Sequence, residues 1–245
     1  MPADPYETLA ARYDRMTQEN PRRLAFFRKL FTHRSVRSVL DCACGTGHDL
    51  IAFHRMGLEV EGSDLSDAML TQARTNLARA RITLSLRQID VRKLASGTSR
   101  RFDAVVCLSN AINELLDDAD VVCALEQMRA VLHAGGIVVL DQGQTDASMR
   151  NPPHYAPIVN EPDFTRVFVM DYDDTLMTVH ILDFTHTMAE TRFEESTVRL
   201  RIRLESDWSR LLHEAGFSAV DLYGNWSGAP YDPETAQRLV IVATP

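Results

Sequence analysis

No stretch of this 245-residue chain is apolar for long enough to cross a bilayer, and residues 1–30 are broken by charge and proline, which argues against a secretory leader. Cysteine is scarce: Cys42, Cys44, Cys107 and Cys123 fall on expected strands, their ends or a helix, the pattern of buried free thiols and not of a disulfide frame. Cys42 and Cys44 have no second Cys or His pair at ligand spacing, so no metal is expected. Positive charge is also short, 26 Lys and Arg against 34 Asp and Glu for a formal net charge of −8. A nucleic-acid partner would need an excess of cations to displace counterions, and is therefore not expected. These absences leave a cytoplasmic protein with no membrane partner. Its 45% apolar and 24% charged residues are ordinary for one large core. The oligomeric state stays open, a homodimer being one option.

What is present begins at Val39-Leu40-Asp41-Cys42-Ala43-Cys44-Gly45-Thr46-Gly47, an apolar strand that stops at an acid and turns through two glycines. Glycine has no Cβ and tolerates positive φ, so backbone can approach a ligand there, and the amides opening the next helix face it. A second apolar run, Leu58 to Ser63, ends in Asp64, at the separation where an α/β nucleotide fold offers a carboxylate to a ribose diol. A dinucleotide fingerprint would place a third glycine at position 50; this chain has Leu50. Without a pyrophosphate to hold, the loop suits a ligand whose charged part is an amino acid.

In these residues the chain resembles the class I, Rossmann-like S-adenosylmethionine (SAM) methyltransferases, whose first motif Asp41 to Gly47 matches throughout. The resemblance continues through Leu65-Ser66-Asp67-Ala68-Met69-Leu70, the start of a second helix, through Asp90-Val91 after a third strand from Ile82 to Ile89, and through Ser109-Asn110-Ala111 after a fourth from Asp103 to Leu108. A Gly135-Gly136 turn precedes a fifth strand, Ile137 to Asp141. It implies an α/β fold: a seven-stranded, mostly parallel sheet with helices on both faces. It also implies SAM as cofactor, with Asp41, Cys42, Ala43, Gly45 and Gly47 forming the loop, Asp64 on the ribose, and Asp90 and Val91 beside the adenine. Leu65, Met69, Leu108 and Asn110 complete that set. Tyr13 is expected to cap the pocket, its ring face favourable to a sulfonium, and Arg22 or Arg23 to meet the cofactor carboxylate.

Helical periodicity over Tyr6 to Thr32, broken at Asn20-Pro21, predicts two short helices forming an N-terminal cap over residues 1–35. The Rossmann-like domain is expected over 36–144 and 206–245. Between them, residues 145–205 exceed a crossover. Phe164 to Asp171, Leu176 to Thr187 and Arg192 to Leu204 are rich in β-branched and aromatic residues, predicting an antiparallel insertion after the fifth strand that roofs the site. Arg199, Arg201 and Arg203 alternate with apolar residues, placing three guanidiniums on one strand face. Ser206 is expected to cap a helix that ends near Gly216, before a closing hairpin of Ala219 to Tyr223 and Arg238 to Ala243. Asn151-Pro152-Pro153-His154 is similar to the Asn-Pro-Pro-Tyr motif of amino-methyltransferases but lies beyond the fifth strand, where it shapes a loop.

A strand insertion at this place is similar to the glycine N-methyltransferase and amino-sugar N,N-dimethyltransferase branches, implying a small-molecule N-methyltransferase. Glycine methyltransferases carry an arginine just after the fifth strand to clamp the substrate carboxylate; here that place is Gly143, which disfavours glycine as substrate. Methyl transfer from a sulfonium needs alignment of the reactants above all, worth on the order of 7–11 kcal/mol. An amine that binds neutral needs no base, whereas a hydroxyl needs one. Asn110 is the residue expected to orient donor or acceptor, with His154 and His180 the leading bases and Tyr155 and His186 behind them. The alternatives are a SAM-binding regulatory protein without turnover, and an NAD(P)-dependent oxidoreductase, which Leu50 disfavours.

Overall fold

A computed structural model describes residues 4–17 and 19–245. Two helices lead in, α1 (Tyr6–Tyr13) and α2 (Pro21–His33). The break between them has a local cause: Asn20 Oδ1 accepts from the Arg22 and Arg23 amides at 3.1 and 3.2 Å, and Pro21 fits the first helical position. There follow β1 (Ser38–Asp41), α3 (His48–Arg55), β2 (Glu59–Asp64), α4 (Asp67–Ala80), β3 (Ser85–Gln88), α5 (Leu94–Gly97), β4 (Phe102–Cys107), α6 (Asp118–Ala130) and β5 (Leu132–Gln142). After α7 (Asp146–Met149) come β6 (Tyr155–Glu161), β7 (Phe164–Tyr172), β8 (Leu176–His186) and β9 (Thr191–Arg201), then α8 (Glu205–Glu214), β10 (Ala219–Tyr223) and β11 (Leu239–Thr244).

The main sheet has seven strands in the order β10-β11-β5-β4-β1-β2-β3, parallel except for β11, which runs antiparallel to both neighbours. Its central strands are apolar on both faces because both are covered. Leu40, Val105, Cys107, Val138, Leu140 and Ile241 pack beneath α6 and α8, while Val39, Ala104, Val106, Val139 and Val240 pack beneath α2, α3 and α4. The carboxyl ends of β1, β2, β4 and β5 therefore share one edge, where an open α/β sheet binds its ligand. A separate antiparallel sheet, β6-β7-β8-β9, is the expected insertion with one additional strand, β6, which lies beyond the prolines. On its inner face Met170, Met177, Val179, Ile181, Val198 and Leu200 form a third cluster with Leu9 of α1.

Several expectations are corrected. The Gly135-Gly136 turn is an irregularity inside a longer β5, where pairing with β4 slips between Phe102 and Ala104. Helix α8 starts at Glu205, and the group closing its first turn is Asp207, whose Oδ2 accepts from the Leu204 amide at 3.1 Å; Ser206 is exposed. The three arginines do not share a face. Arg199 is exposed and Arg201 half-buried on β9, but Arg203 lies beyond the strand, 1% exposed, with Nε donating to Asp118 Oδ1 at 3.1 Å. No helix among the described residues is long and apolar enough to cross a membrane.

Candidate active site

A cavity of about 610 Å³ lies between the edge of the main sheet and the inner face of the inserted sheet. Its floor is the loop after β1. Gly45 and Gly47 adopt φ of +51° and +83°, which side chains other than glycine rarely take. A Cβ on Gly47 would also stand 3.3 Å from Ala73 Cβ of α4. Leu50, at the place of a third glycine, is fully buried, and its Cδ1 lies where it would meet a Cβ on Gly62 at 2.7 Å. The close packing of helix on strand is thus met by a glycine on β2 instead of one on α3.

Asp64 locks this loop to the end of β2: its Oδ2 accepts from the Gly45 amide at 2.7 Å and its Oδ1 from the Ser66 amide at 2.9 Å. A carboxylate has about four lone-pair directions, so each oxygen keeps one for a hydroxyl. Burial pushes the Asp64 pKa up against those two amides. Asp41 is buried beneath the loop, its Oδ1 accepting from the Ala43 amide at 3.3 Å; burial and the nearby Asp49 raise its pKa well above the usual carboxylate range. After β4, Ser109 and Asn110 are both left-handed (φ +59° and +67°), consecutive strained positions that place Asn110 in the cavity. The Asn110 Oδ1 accepts from the Gly143 amide at 2.8 Å, and the Ser109 amide donates to Asp141 Oδ1 at 2.8 Å.

Of Arg22 and Arg23, it is Arg23 that reaches the cavity. Its Nη2 donates to Asp49 Oδ2 at 2.7 Å and its guanidinium lies 5.4 Å from the Trp226 ring; Arg22 is exposed outside. Arg238 stands 5.5 Å from the same ring, with Nη2 3.1 Å from Asp141 Oδ2. Helix α1 covers the opening. Tyr13 and Tyr6 point inward, burial pushing the Tyr13 pKa up to about 12, and the Tyr6 hydroxyl donates to Glu114 Oε1 at 2.5 Å. Just beyond α1, Asp14 Oδ1 meets His48 Nε2 at 3.0 Å and its Oδ2 accepts from Asn76 Nδ2 at 2.8 Å. Burial opposes ionisation of Asp14, but hydrogen bonds from His48, Thr46, Asn76 and Gln72 outweigh it and hold the pKa well below the usual range.

The other expected residues lie outside the cavity lining. His180 is corrected: on β8 the inward positions are Met177, Val179 and Ile181, so the alternation turns His180 outward, where its Nδ1 meets Glu195 Oε1 at 2.9 Å and its Nε2 lies 3.4 Å from Asp171. His154 is exposed, its Nδ1 3.2 Å from the Met170 carbonyl oxygen, outside the cavity lining. His186 bridges Thr165 and Thr191, and Tyr155 is exposed. The Cys42 thiol donates to the Val106 carbonyl within the core, which leaves its backbone to the loop. Leu108 is core and Met69 packs under Gly45; Val91 and Ala43 lean on the core. Leu65 is exposed, and Asp90 is clamped by Arg92 Nη2 at 2.6 Å. Tyr6, which opens α1, and Glu114, Gln144, Trp226 and Arg238, which lie in turns and loops, also line the cavity, and no motif marks any of them for the site.

Residues 39–136 match the family model described as a methyltransferase domain. The chain is 30% identical over 214 residues to the glycine/sarcosine N-methyltransferase of Aphanothece halophytica, covering 82% of this chain and 74% of that protein. It is 31% identical over 196 residues to the dTDP-3-amino-3,6-dideoxy-alpha-D-glucopyranose N,N-dimethyltransferase of Streptomyces fradiae, covering 78% and 74%. With the glycine/sarcosine N-methyltransferase of Parasynechococcus marenigrum (strain WH8102) it shares 36% over 143 residues, 57% of this chain and 51% of that one. An S-adenosylmethionine-dependent methyltransferase from Clostridium acetobutylicum ATCC 824 has the same fold at a TM-score of 0.84, with 18% identity over 98% of this chain and 99% of that one. The glycine loop, the acid closing β2 and the strand order belong with these matches: the chain is a member of the class I SAM-dependent methyltransferases. Its cofactor is SAM.

Proposed function

We propose that the protein N-methylates a small cytoplasmic metabolite that carries no carboxylate at the accepting end, without a nucleic-acid partner. The observation that carries this reading is Gly143. It lines the cavity where an arginine clamp would be needed, and the arginines that do line it, Arg23 and Arg238, are engaged by Asp49 and Asp141. A bidentate guanidinium cannot be replaced by a hydrogen atom. The substrate wall is instead apolar, made of Phe168, Met170, Met177, Val179 and Ile181 on the inserted sheet. N-methylation is favoured over O-methylation by the N-methyltransferases the chain is similar to, and neither His154 nor His180, the bases expected for a hydroxyl, lies in the cavity lining.

The residues fit SAM. Gly45 and Gly47 provide close backbone approach, Asp64 keeps acceptor capacity for the ribose, Arg23, paired with Asp49 but with its buried Nε free of a partner, would meet the cofactor carboxylate, and the Tyr13 ring offers a face to positive charge. When bound, SAM supplies an already activated methyl group. The chain's own work is to orient the acceptor through Asn110, to exclude water with α1 and the inserted sheet, and to shape the wall against which the acceptor leans. Incubation with SAM and, separately, glycine or a nucleotide-linked amino sugar should give methylated product from the amino sugar only. Methylated glycine at a comparable rate would refute the reading. Asp64→Ala should weaken SAM binding by at least about tenfold by calorimetry, from the loss of charge-assisted hydrogen bonds; unchanged affinity would show that Asp64 does not meet the ribose.

A further inference from the structure

Glu114 is the unbalanced charge of the cavity. It sits in the short turn after Asn110, lines the same space, and takes one hydrogen bond, from the Tyr6 hydroxyl. No Arg, Lys or His forms an ion pair with it among the described residues. The charged or titratable groups facing it are Tyr6 and Tyr13 from α1, Asp4 ahead of that helix and Asp64 at the end of β2, none of them a cation. A second acceptor lies in the same cavity. Gln144 is 4% exposed, its Oε1 is buried and receives no hydrogen bond, and its Nε2 reaches only Met177 Sδ at 4.0 Å. Buried acceptors without donors cost free energy unless a ligand supplies the donors.

We infer that Glu114 binds the protonated amine of the substrate and takes its proton, and that Gln144 Oε1 accepts from a second N–H or O–H of the same molecule. This deepens the N-methyltransferase reading and rests on it. An amine at neutral pH arrives largely as an ammonium, which has no lone pair and cannot attack. In the proton step one N–H bond breaks and one O–H bond forms on the Glu114 carboxylate; the nitrogen keeps the electron pair and becomes nucleophilic. The proton leaves later to solvent, restoring the carboxylate. Burial, followed by repulsion from Asp64 and Asp4, pushes the Glu114 pKa up to about 7 against the Tyr6 hydrogen bond, matching the carboxylate to this exchange near neutrality. A substrate alcohol offers this carboxylate one charge-assisted hydrogen bond, whereas an ammonium adds a full opposite charge to it. The site therefore selects a basic amine with an apolar flank and at least one further donor.

The test needs no substrate. Sinefungin carries an amine where SAM carries its methyl group, and S-adenosylhomocysteine (SAH) carries nothing there, so the ratio of their affinities reads a carboxylate at the transfer point. By calorimetry, wild-type protein at about pH 8 should prefer sinefungin by about tenfold, the scale of a charge-assisted hydrogen bond, with the preference fading as pH falls through about 7. Glu114→Gln, which keeps size and the Tyr6 contact, should reduce the ratio to about threefold or less at every pH while SAH still binds. Tyr6→Phe removes a hydrogen bond that stabilises the ionised form, so the midpoint of the preference should move to higher pH. A Glu114→Gln protein that binds SAH and keeps the wild-type ratio overturns the inference, as does an unmoved midpoint in Tyr6→Phe. Failure of the wild type to bind SAH at all would instead overturn the cofactor assignment.

Discussion

Glu114 also marks where function opposes stability at a single side chain. Its pKa rises from 4.5 to about 7 on folding, so the folded state favours the protonated form. That favourable contribution is complete below the unfolded pKa and is lost as pH rises through the folded one. Glu114→Gln should therefore add about 2–3 kcal/mol of stability at about pH 8 and almost nothing near about pH 4, read by urea denaturation at the two pH values. Neither this position nor Gln144 was legible in the sequence, because nothing in a turn or strand end indicates that its neighbours will lack a cation. The loop of Gly45 and Gly47 was legible because its chemistry is local: positive φ is required at both positions.

At the scale of elements, α1 and the turn that follows it are attached to the inserted sheet by ion pairs as well as by the apolar cluster around Leu9. Arg12 pairs with Glu194 and lies 3.2 Å from Asp183, Arg15 donates to Glu161 and Asp163, and Thr8 meets Ser196. Asp183 continues the inward row of Met177, Val179 and Ile181, and is bound at 2.7 Å by both Nε and Nη2 of Arg166, which is fully buried. Asp183→Ala leaves that guanidinium uncompensated and should cost about 3–5 kcal/mol in thermal or denaturant unfolding. A smaller loss would mean that water reaches Arg166. The alternation of β7, β8 and β9 was readable from period-two patterning, but it also carried a trap. Period two decides that His180 and Ile181 face opposite ways, and only the fold decides which of them faces the cofactor. The outlying strand β6 was missed because prolines precede and occupy it.

For the molecule as a whole, the site lies where three parts meet: the main sheet, the inserted sheet and the leading helix. A ligand filling the cavity should stabilise them together. SAH at 100 times its dissociation constant should raise unfolding stability by about 2.7 kcal/mol, seen as an increase of several degrees in melting temperature; no shift at millimolar SAH would count against a cavity that spans the three. One feature of the lining reaches further. Met16, Met149, Met170 and Met177 all border the space. Thioether side chains are unbranched and polarizable, so they refit around guests of different outline with little penalty. The same atoms accept oxygen readily, and a sulfoxide would turn a greasy, yielding surface into a polar one. The enzyme should thus tolerate a range of acceptor shapes and lose that tolerance first under peroxide, an inactivation that methionine sulfoxide reductase would reverse and that a resident guest would slow.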